Sequence, residues 1–185
     1  MNEIRKVCGR RVWDSRGRPT VEAEVHISGG MVGRAIAPAG ASTGSGEAVD
    51  LRDGDQIFGG FDVRNALASV DGEIAKALVG MDATDQIAID KALIALDNTP
   101  NKSRLGGNAI VSVSMAAAHA AAAAYDVPLW QYLSKGVADK MPLPEIQIFG
   151  GGAHAGQRVD VQDFMVMATG AKDYAEALDW TARVY

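Results

Sequence analysis

Thr20-Val21-Glu22-Ala23-Glu24-Val25-His26-Ile27 alternates strictly. Val21, Ala23, Val25 and Ile27 fall on one side, and Glu22, Glu24 and His26 on the other. A period of two places these sets on opposite faces of a strand, one buried and one wet. Ser28-Gly29-Gly30 is a turn signal, and Met31 to Ala37 returns as the partner strand of a hairpin. Residues 4–13 supply a further strand, which runs into a turn at Asp14-Ser15-Arg16-Gly17. The chain therefore opens with an antiparallel meander of three strands.

The next stretch, Pro38-Ala39-Gly40-Ala41-Ser42-Thr43-Gly44-Ser45-Gly46, has only small residues and buries no core. It is either a slack connector or a mobile flap. Helical spacing follows in Val63, Leu67, Val70, Ile74 and Leu78, with Asp62 as a cap and Gly80 as a stop. A second helix starts near Thr84 and carries Ile87, Leu93, Ile94 and Leu96. Asn101 to Asn108 read as a polar loop, and Ile110 to Ala124 as a buried, alanine-rich helix. Pro128 opens a short helix that Leu129, Trp130 and Leu133 pin to the core.

Ser134 to Pro144 reads as a boundary, with Gly136, Pro142 and Pro144 in a polar stretch. Beyond it, Ile146 to Ile148 is strand-like, 159–167 alternates like a strand, and Asp173 to Val184 reads as an amphipathic helix. A fragment of roughly 45 residues buries too little surface to stand alone. These last elements are expected to belong to a larger second domain. The end at Tyr185 falls mid-helix without a cap and reads as a truncation.

Composition narrows the function classes. With 18 basic and 23 acidic side chains, the net charge of −5 argues against a nucleic-acid partner. A single cysteine, Cys8, excludes an internal disulfide framework and fits a reducing compartment. The first residues lack a signal-peptide pattern, and no run reaches the roughly 20 apolar residues of a membrane span.

Three places carry chemistry-bearing residues. The loop around Ser42 has amides and hydroxyls able to wrap an anion or a metal, or it is a hairpin connector. His154 lies in a glycine-rich loop, Phe149-Gly150-Gly151-Gly152-Ala153-His154-Ala155-Gly156, open to close approach by a ligand. It is either a phosphate donor or proton shuttle, or an exposed loop histidine. His26 on the wet strand face and His119 on the alanine-rich helix read as structural. Asp163 follows Gln162 and, by alternation, shares a face with Val161 and Met165. It is either a carboxylic acid among apolar neighbours, tuned as a general acid, or a solvated acid at a strand end.

Taken together, these motifs resemble the enolase family. The blocks are Asp14-Ser15-Arg16-Gly17-Arg18-Pro19-Thr20-Val21-Glu22, Gly40-Ala41-Ser42-Thr43-Gly44, Glu47-Ala48 and Leu51-Arg52-Asp53-Gly54-Asp55. They continue in Asn101-Lys102-Ser103, Gly107-Asn108-Ala109-Ile110, Val113-Ser114, Ala153-His154-Ala155-Gly156 and Gln162-Asp163-Phe164-Met165. The resemblance implies an α+β N-terminal domain over 1–138, a meander followed by helices. Residues 139–185 are then the first strands and helix of an enolase-type α/β (TIM-like) barrel.

It also implies an activity: magnesium-dependent dehydration of 2-phosphoglycerate to phosphoenolpyruvate, in glycolysis. Two Mg²⁺ ions would offset the charge that builds on the substrate carboxylate. Ser42 matches the serine of a mobile loop that ligates the second magnesium. His154 matches a histidine that reaches the substrate phosphate, and Gln162 a glutamine that lines the site. Asp163 sits where the family has a glutamate that helps the hydroxyl leave. The resemblance further implies a cytoplasmic homodimer or higher homo-oligomer.

The family's metal-binding carboxylates and lysine base lie further along a longer chain. These 185 residues alone are therefore expected to be inactive. Departures from the family pattern cluster at the loops: Asp163 for glutamate, Ala39 and Ala153 for serine, Phe149 for asparagine, and Gly46 for a larger residue. That clustering suggests an enolase-like paralogue acting on a related phosphorylated or phosphonylated carboxylate. A non-catalytic binding or assembly module is the remaining alternative.

Overall fold

The alternation in residues 20–27 builds the central strand of a three-stranded antiparallel sheet, in a computed structural model that describes residues 2–40, 43–137 and 140–185. The strands are β1 (Ile4–Trp13), β2 (Pro19–Ile27) and β3 (Val32–Ala37), in the order β1-β2-β3. The β1/β2 register runs from Ile4↔Ile27 to Trp13↔Pro19, with an irregularity between Ile4 and Lys6. The β2/β3 register runs from Val21↔Ala37 to His26↔Val32. Ala41 and Ser42 lie outside the described residues, so the fold is silent on the expected serine ligand.

Val21, Ala23, Val25 and Ile27 are buried as the period predicts. The opposite face is drier than expected: Glu22 is only 7% exposed. Arg10 covers it, donating to Glu22 through Nε and Nη2, and to Glu24 at 2.6 Å. A strand face carrying opposite charges in register shields itself from water.

The inner face packs against α4 (Gly107–Ala124), whose alanines allow close approach. At Gly33 the fit is absolute. A Cβ there would lie 2.0 Å from the Ala116 carbonyl oxygen and 2.1 Å from the Ala120 nitrogen. Helices α1 (Arg64–Ser69), α2 (Ala75–Leu78) and α3 (Gln86–Asp97) add Ala66, Leu78, Ile89 and Leu93 to the same core. The expected helix over 63–78 carries a π turn at Val70–Ile74 between α1 and α2. Gly9 lies under it, with a Cβ position 2.9 Å from Leu67 and 3.3 Å from Val70.

Several local expectations are corrected. Asp62 does not cap α1. Val63 holds that position, and Asp53 accepts from the Arg64 and Asn65 backbone N–H groups at 3.0 Å each. Asp62 instead is fully buried and takes both bonds from Arg11 Nη1, at 3.0 and 2.9 Å. The polar loop ends earlier than expected, because α4 already starts at Gly107. In α5 (Leu129–Ser134), Trp130 and Leu133 are 62% and 59% exposed. The inward contact comes from Tyr132, whose hydroxyl donates to the Thr84 carbonyl at 3.4 Å and whose ring stacks on Tyr125.

The chain divides into two compact units, one of residues 2–40 and 44–137, and one of residues 140–185 with Thr43. The second contains a hairpin of β4 (Ile146–Gly150) and β5 (Asp163–Val166), then α6 (Tyr174–Val184). Asp173 caps α6, accepting from Glu176 N–H at 2.9 Å. The strand expected over 159–167 is confined to 163–166.

Candidate active site

The three expected site residues that lie among the described residues, His154, Gln162 and Asp163, all belong to the second unit. β4 and β5 pair antiparallel, with Gly150 opposite Asp163. The segment between them folds back on itself. Gly151 N–H donates to the Gln162 carbonyl at 2.7 Å, and Gly152 N–H to the Val159 carbonyl at 2.8 Å. A Cβ at Gly151 would lie 1.9 Å from the Val161 carbonyl oxygen. Only glycine permits this clamp, and the backbone bonds it makes displace the ladder that residues 159–162 would need for a longer strand.

His154 sits in the single 3₁₀ turn Gly152–Ala155 of this loop and is exposed. Gly150 is the shared neighbour that brings His154 and Asp163 to one end of the hairpin. It pairs with Asp163, and its Cβ position lies 3.5 Å from His154 Cβ. Gly152 does the same for Gln162, whose Cβ lies 3.7 Å from the Gly152 Cβ position.

Of the two settings open for Asp163, its surroundings are nearer the strand-end acid than the acid among apolar neighbours, since it is the first residue of β5. The side chain is half-buried, and Val161 beside it is exposed. Its carboxylate lies between two carboxamides. Gln147 Nε2 donates to Oδ1, and Gln162 Nε2 donates to Oδ2 at 3.3 Å. Two amide donors fix the plane of the carboxylate by hydrogen bonding rather than by apolar packing. Gln147 is the residue that the sequence reading missed. It stands a strand away, and only the β4/β5 register brings it to Asp163.

The described residues before and after Ser42 are held by side chains. Arg16 Nη2 donates to the Ala39 carbonyl before it. After it, Glu47 Oε1 accepts from Gly44 N–H at 2.9 Å. Val49 N–H donates to the Asn101 carbonyl at 2.8 Å, and Asn108 bonds both backbone groups of Leu51, at 3.2 and 3.1 Å. The motif residues around the loop thus hold its ends.

Among the described residues, one set of three side chains brings metal-ligand atoms together: Cys8, Glu24 and His26, on the outer face of β1 and β2. It lies in the first unit, apart in sequence from His154, Gln162 and Asp163.

Comparison with known families gives two matches. The family described as "Enolase, N-terminal domain" matches residues 4–133. The family described as "Enolase, C-terminal TIM barrel domain" matches residues 138–185.

Proposed function

Since the chain belongs to the enolase family, we propose that it is the N-terminal portion of a carbon–oxygen lyase that dehydrates 2-phosphoglycerate to phosphoenolpyruvate. The reading rests on both family matches falling in order along the chain. Residues 1–138 are assigned to the N-terminal domain and 139–185 to the start of the barrel. A TIM barrel needs eight strands, and residues 140–185 hold two. These two strands supply only part of such a barrel. A cytoplasmic homodimer or larger homo-oligomer goes with the same reading, and so does a small phosphorylated carboxylate as substrate.

In this proposal Asp163 assists departure of the substrate hydroxyl, and Gln147 and Gln162 keep its carboxyl plane fixed. His154, on a loop whose base is clamped at Gly151 and Gly152, donates to the substrate phosphate. Ser42 belongs to the loop whose ends Arg16 and Glu47 hold. Enolases typically use Mg²⁺, which demands oxygen donors in near-octahedral array. The described residues do not fit that demand. The hairpin and its loop carry two carboxylates, Asp160 and Asp163, which join no cluster of ligand atoms among the described residues, and the three-residue cluster includes a thiol and an imidazole. The 185 residues alone are therefore expected to be inactive.

A second reading keeps the fold and changes the substrate. Asp163 stands at a glutamate position, and Phe149 replaces an asparagine, its ring packing against Phe164 with centroids 5.3 Å apart. The pair puts apolar rings where the family has a carboxamide, which removes a hydrogen-bonding group and would go with a substrate other than 2-phosphoglycerate, a related phosphorylated or phosphonylated carboxylate. The deciding experiment is product formation from 2-phosphoglycerate and Mg²⁺ by the complete protein. Turnover at enolase-like rates is expected, and turnover near zero would overturn the first reading in favour of the second.

A further inference from the structure

The outer face of the sheet holds a site that the reaction above does not use. The register puts Lys6, Cys8 and Arg10 of β1 opposite His26, Glu24 and Glu22 of β2. Cys8 Sγ lies 3.8 Å from Glu24 Oε2 and 4.0 Å from His26 Nε2. His26 Nε2 lies 3.2 Å from the same Glu24 oxygen. One thiol, one imidazole nitrogen and one carboxylate oxygen thus form a triangle at three neighbouring strand positions.

We propose that Cys8, Glu24 and His26 form a three-ligand site for a borderline transition-metal ion, Zn²⁺ above all, with water as the fourth ligand. Size supports this assignment. Zinc bonds of about 2.3 Å to sulfur and about 2.0–2.2 Å to nitrogen and oxygen, at tetrahedral angles, put donors roughly 3.4–3.6 Å apart. The observed separations of 3.8, 4.0 and 3.2 Å each need a shift of only a few tenths of an ångström. Donor chemistry selects the metal, since thiolate and imidazole favour zinc, whereas Mg²⁺ takes oxygen.

The surroundings orient the ligands. Arg10 Nη2 and Arg34 Nη2 hold the other Glu24 oxygen, Oε1, at 2.6 and 3.1 Å. Those bonds fix the carboxylate with Oε2 turned to Cys8 and His26, as outer partners do in metal sites. The His26 side chain is 33% exposed, which leaves a path for the ion and its water. On binding, the Cys8 thiol proton leaves to solvent, the His26 proton resides on Nδ1, and Nε2 becomes a ligand. Thiolate and carboxylate together neutralise the ion. Bound metal would staple β1 to β2 and mask the one thiol of the chain.

The test is a Co²⁺ titration of the 185-residue chain, in which Cys8 is the only cysteine. One equivalent is expected to give near-ultraviolet thiolate-to-cobalt charge transfer and the visible bands of tetrahedral cobalt. Zn²⁺ should bleach both, and excess Mg²⁺ neither. Cys8→Ser should abolish the charge-transfer band. His26→Gln should keep it but weaken binding by about tenfold or more, since loss of a ligand costs at least as much as loss of an outer partner. Zn²⁺ should also slow alkylation of Cys8 in the parent chain and not in His26→Gln. Absence of the charge-transfer band in the parent chain, its persistence in Cys8→Ser, or alkylation indifferent to Zn²⁺ would overturn the site. Binding of divalent ions to oxygen ligands of a catalytic centre produces no thiolate band, so the outcome is independent of the proposed reaction.

Discussion

The two units of this chain solve the burial problem very differently. Residues 2–40 and 44–137 close a core in which β2 and α4 bury Val21, Val25, Val113 and Ala117 completely. Residues 140–185 bury little beyond Ala168, Ala177 and Thr181, and leave Met141 83% and Tyr185 88% exposed. Yet His154, Gln162 and Asp163, the proposed site residues among the described ones, lie in this second unit. The unit richest in candidate chemistry is the one least able to bury its own apolar surface, and it depends on hydrogen bonds such as those around Asp163. Substitutions should therefore divide by unit, with stability lost in the first and activity in the second.

Gly33→Val is the harshest test of that division. Its side chain would have to occupy space held by the Ala116 carbonyl and the Ala120 backbone. Backbone cannot step aside as a flexible side chain does, so a loss of about 4 kcal/mol or more is expected. Thermal or denaturant unfolding followed by circular dichroism reads it. A stable Gly33→Val chain would break the claim that β3 and α4 are locked at this point.

Asp97→Ala comes next. This fully buried carboxylate accepts from the Leu105 N–H at 2.8 Å, from the Thr99 N–H at 3.0 Å and from the Thr99 hydroxyl. Removing it orphans the buried Leu105 N–H and frees the loop that leads into α4. About 2–3 kcal/mol should be lost. Acid should act in the same direction. Burial pushes the Asp97 carboxyl up, but the bonds from Thr99 and Leu105 outweigh it, and the group ionises below the usual carboxylate range. Asp53 behaves alike, its burial outweighed by the Asn65 and Arg64 donors. With folded values depressed, this stabilisation is complete above the unfolded carboxylate value of about 3.9 and is lost as pH falls through the folded values. Denaturant midpoints measured from neutral to acidic pH should fall in that window, and Asp97→Asn should flatten the fall.

Asp53→Ala should cost less, about 1–2 kcal/mol, because it removes a helix cap rather than a core contact. It also marks the limit of what the sequence discloses. The meander, α3, α4 and α6 are legible because periodicity and local caps such as Asp85 and Asp173 lie within the elements themselves. The α1 cap is not, because it arrives from Asp53, 11 residues before Arg64. Asp62, adjacent to the helix, carries the right residue type and goes instead to Arg11. In α5 one turn and a half cannot define a buried stripe, so Leu129, Trp130 and Leu133 read as well as Tyr132. The donors around Asp163 escape the sequence for a related reason. Alternation names neighbours along one strand, whereas its carboxylate is held by Gln147 across the hairpin and by Gln162, its neighbour in the chain. The family motifs were legible as motifs, but several act as scaffold: Asp14 accepts from Arg16 and Arg18 backbone N–H groups, and Asn108 clasps Leu51.

The smallest effect on stability is expected at the proposed site, and there the comparison is sharpest. Gln147→Ala removes one of the two amides that hold Asp163, at an exposed position. Unfolding should shift by less than about 0.5 kcal/mol. Turnover by the complete protein should fall far more, because a misplacement of about 1 Å in a reacting group can cost roughly 100-fold. Asp163→Glu separates the two functional readings on the same background. The longer side chain advances the carboxyl by one methylene and leaves the fold intact. If the site processes a substrate other than 2-phosphoglycerate, the change should leave 2-phosphoglycerate turnover undamaged or raise it, while turnover of the native substrate falls. If the site is tuned to 2-phosphoglycerate with aspartate in place, the same methylene displaces the acid from the leaving hydroxyl and turnover drops. Equal unfolding curves with opposite changes in rate would assign Asp163 to the reaction rather than to the hairpin, since a merely structural carboxylate would move both together.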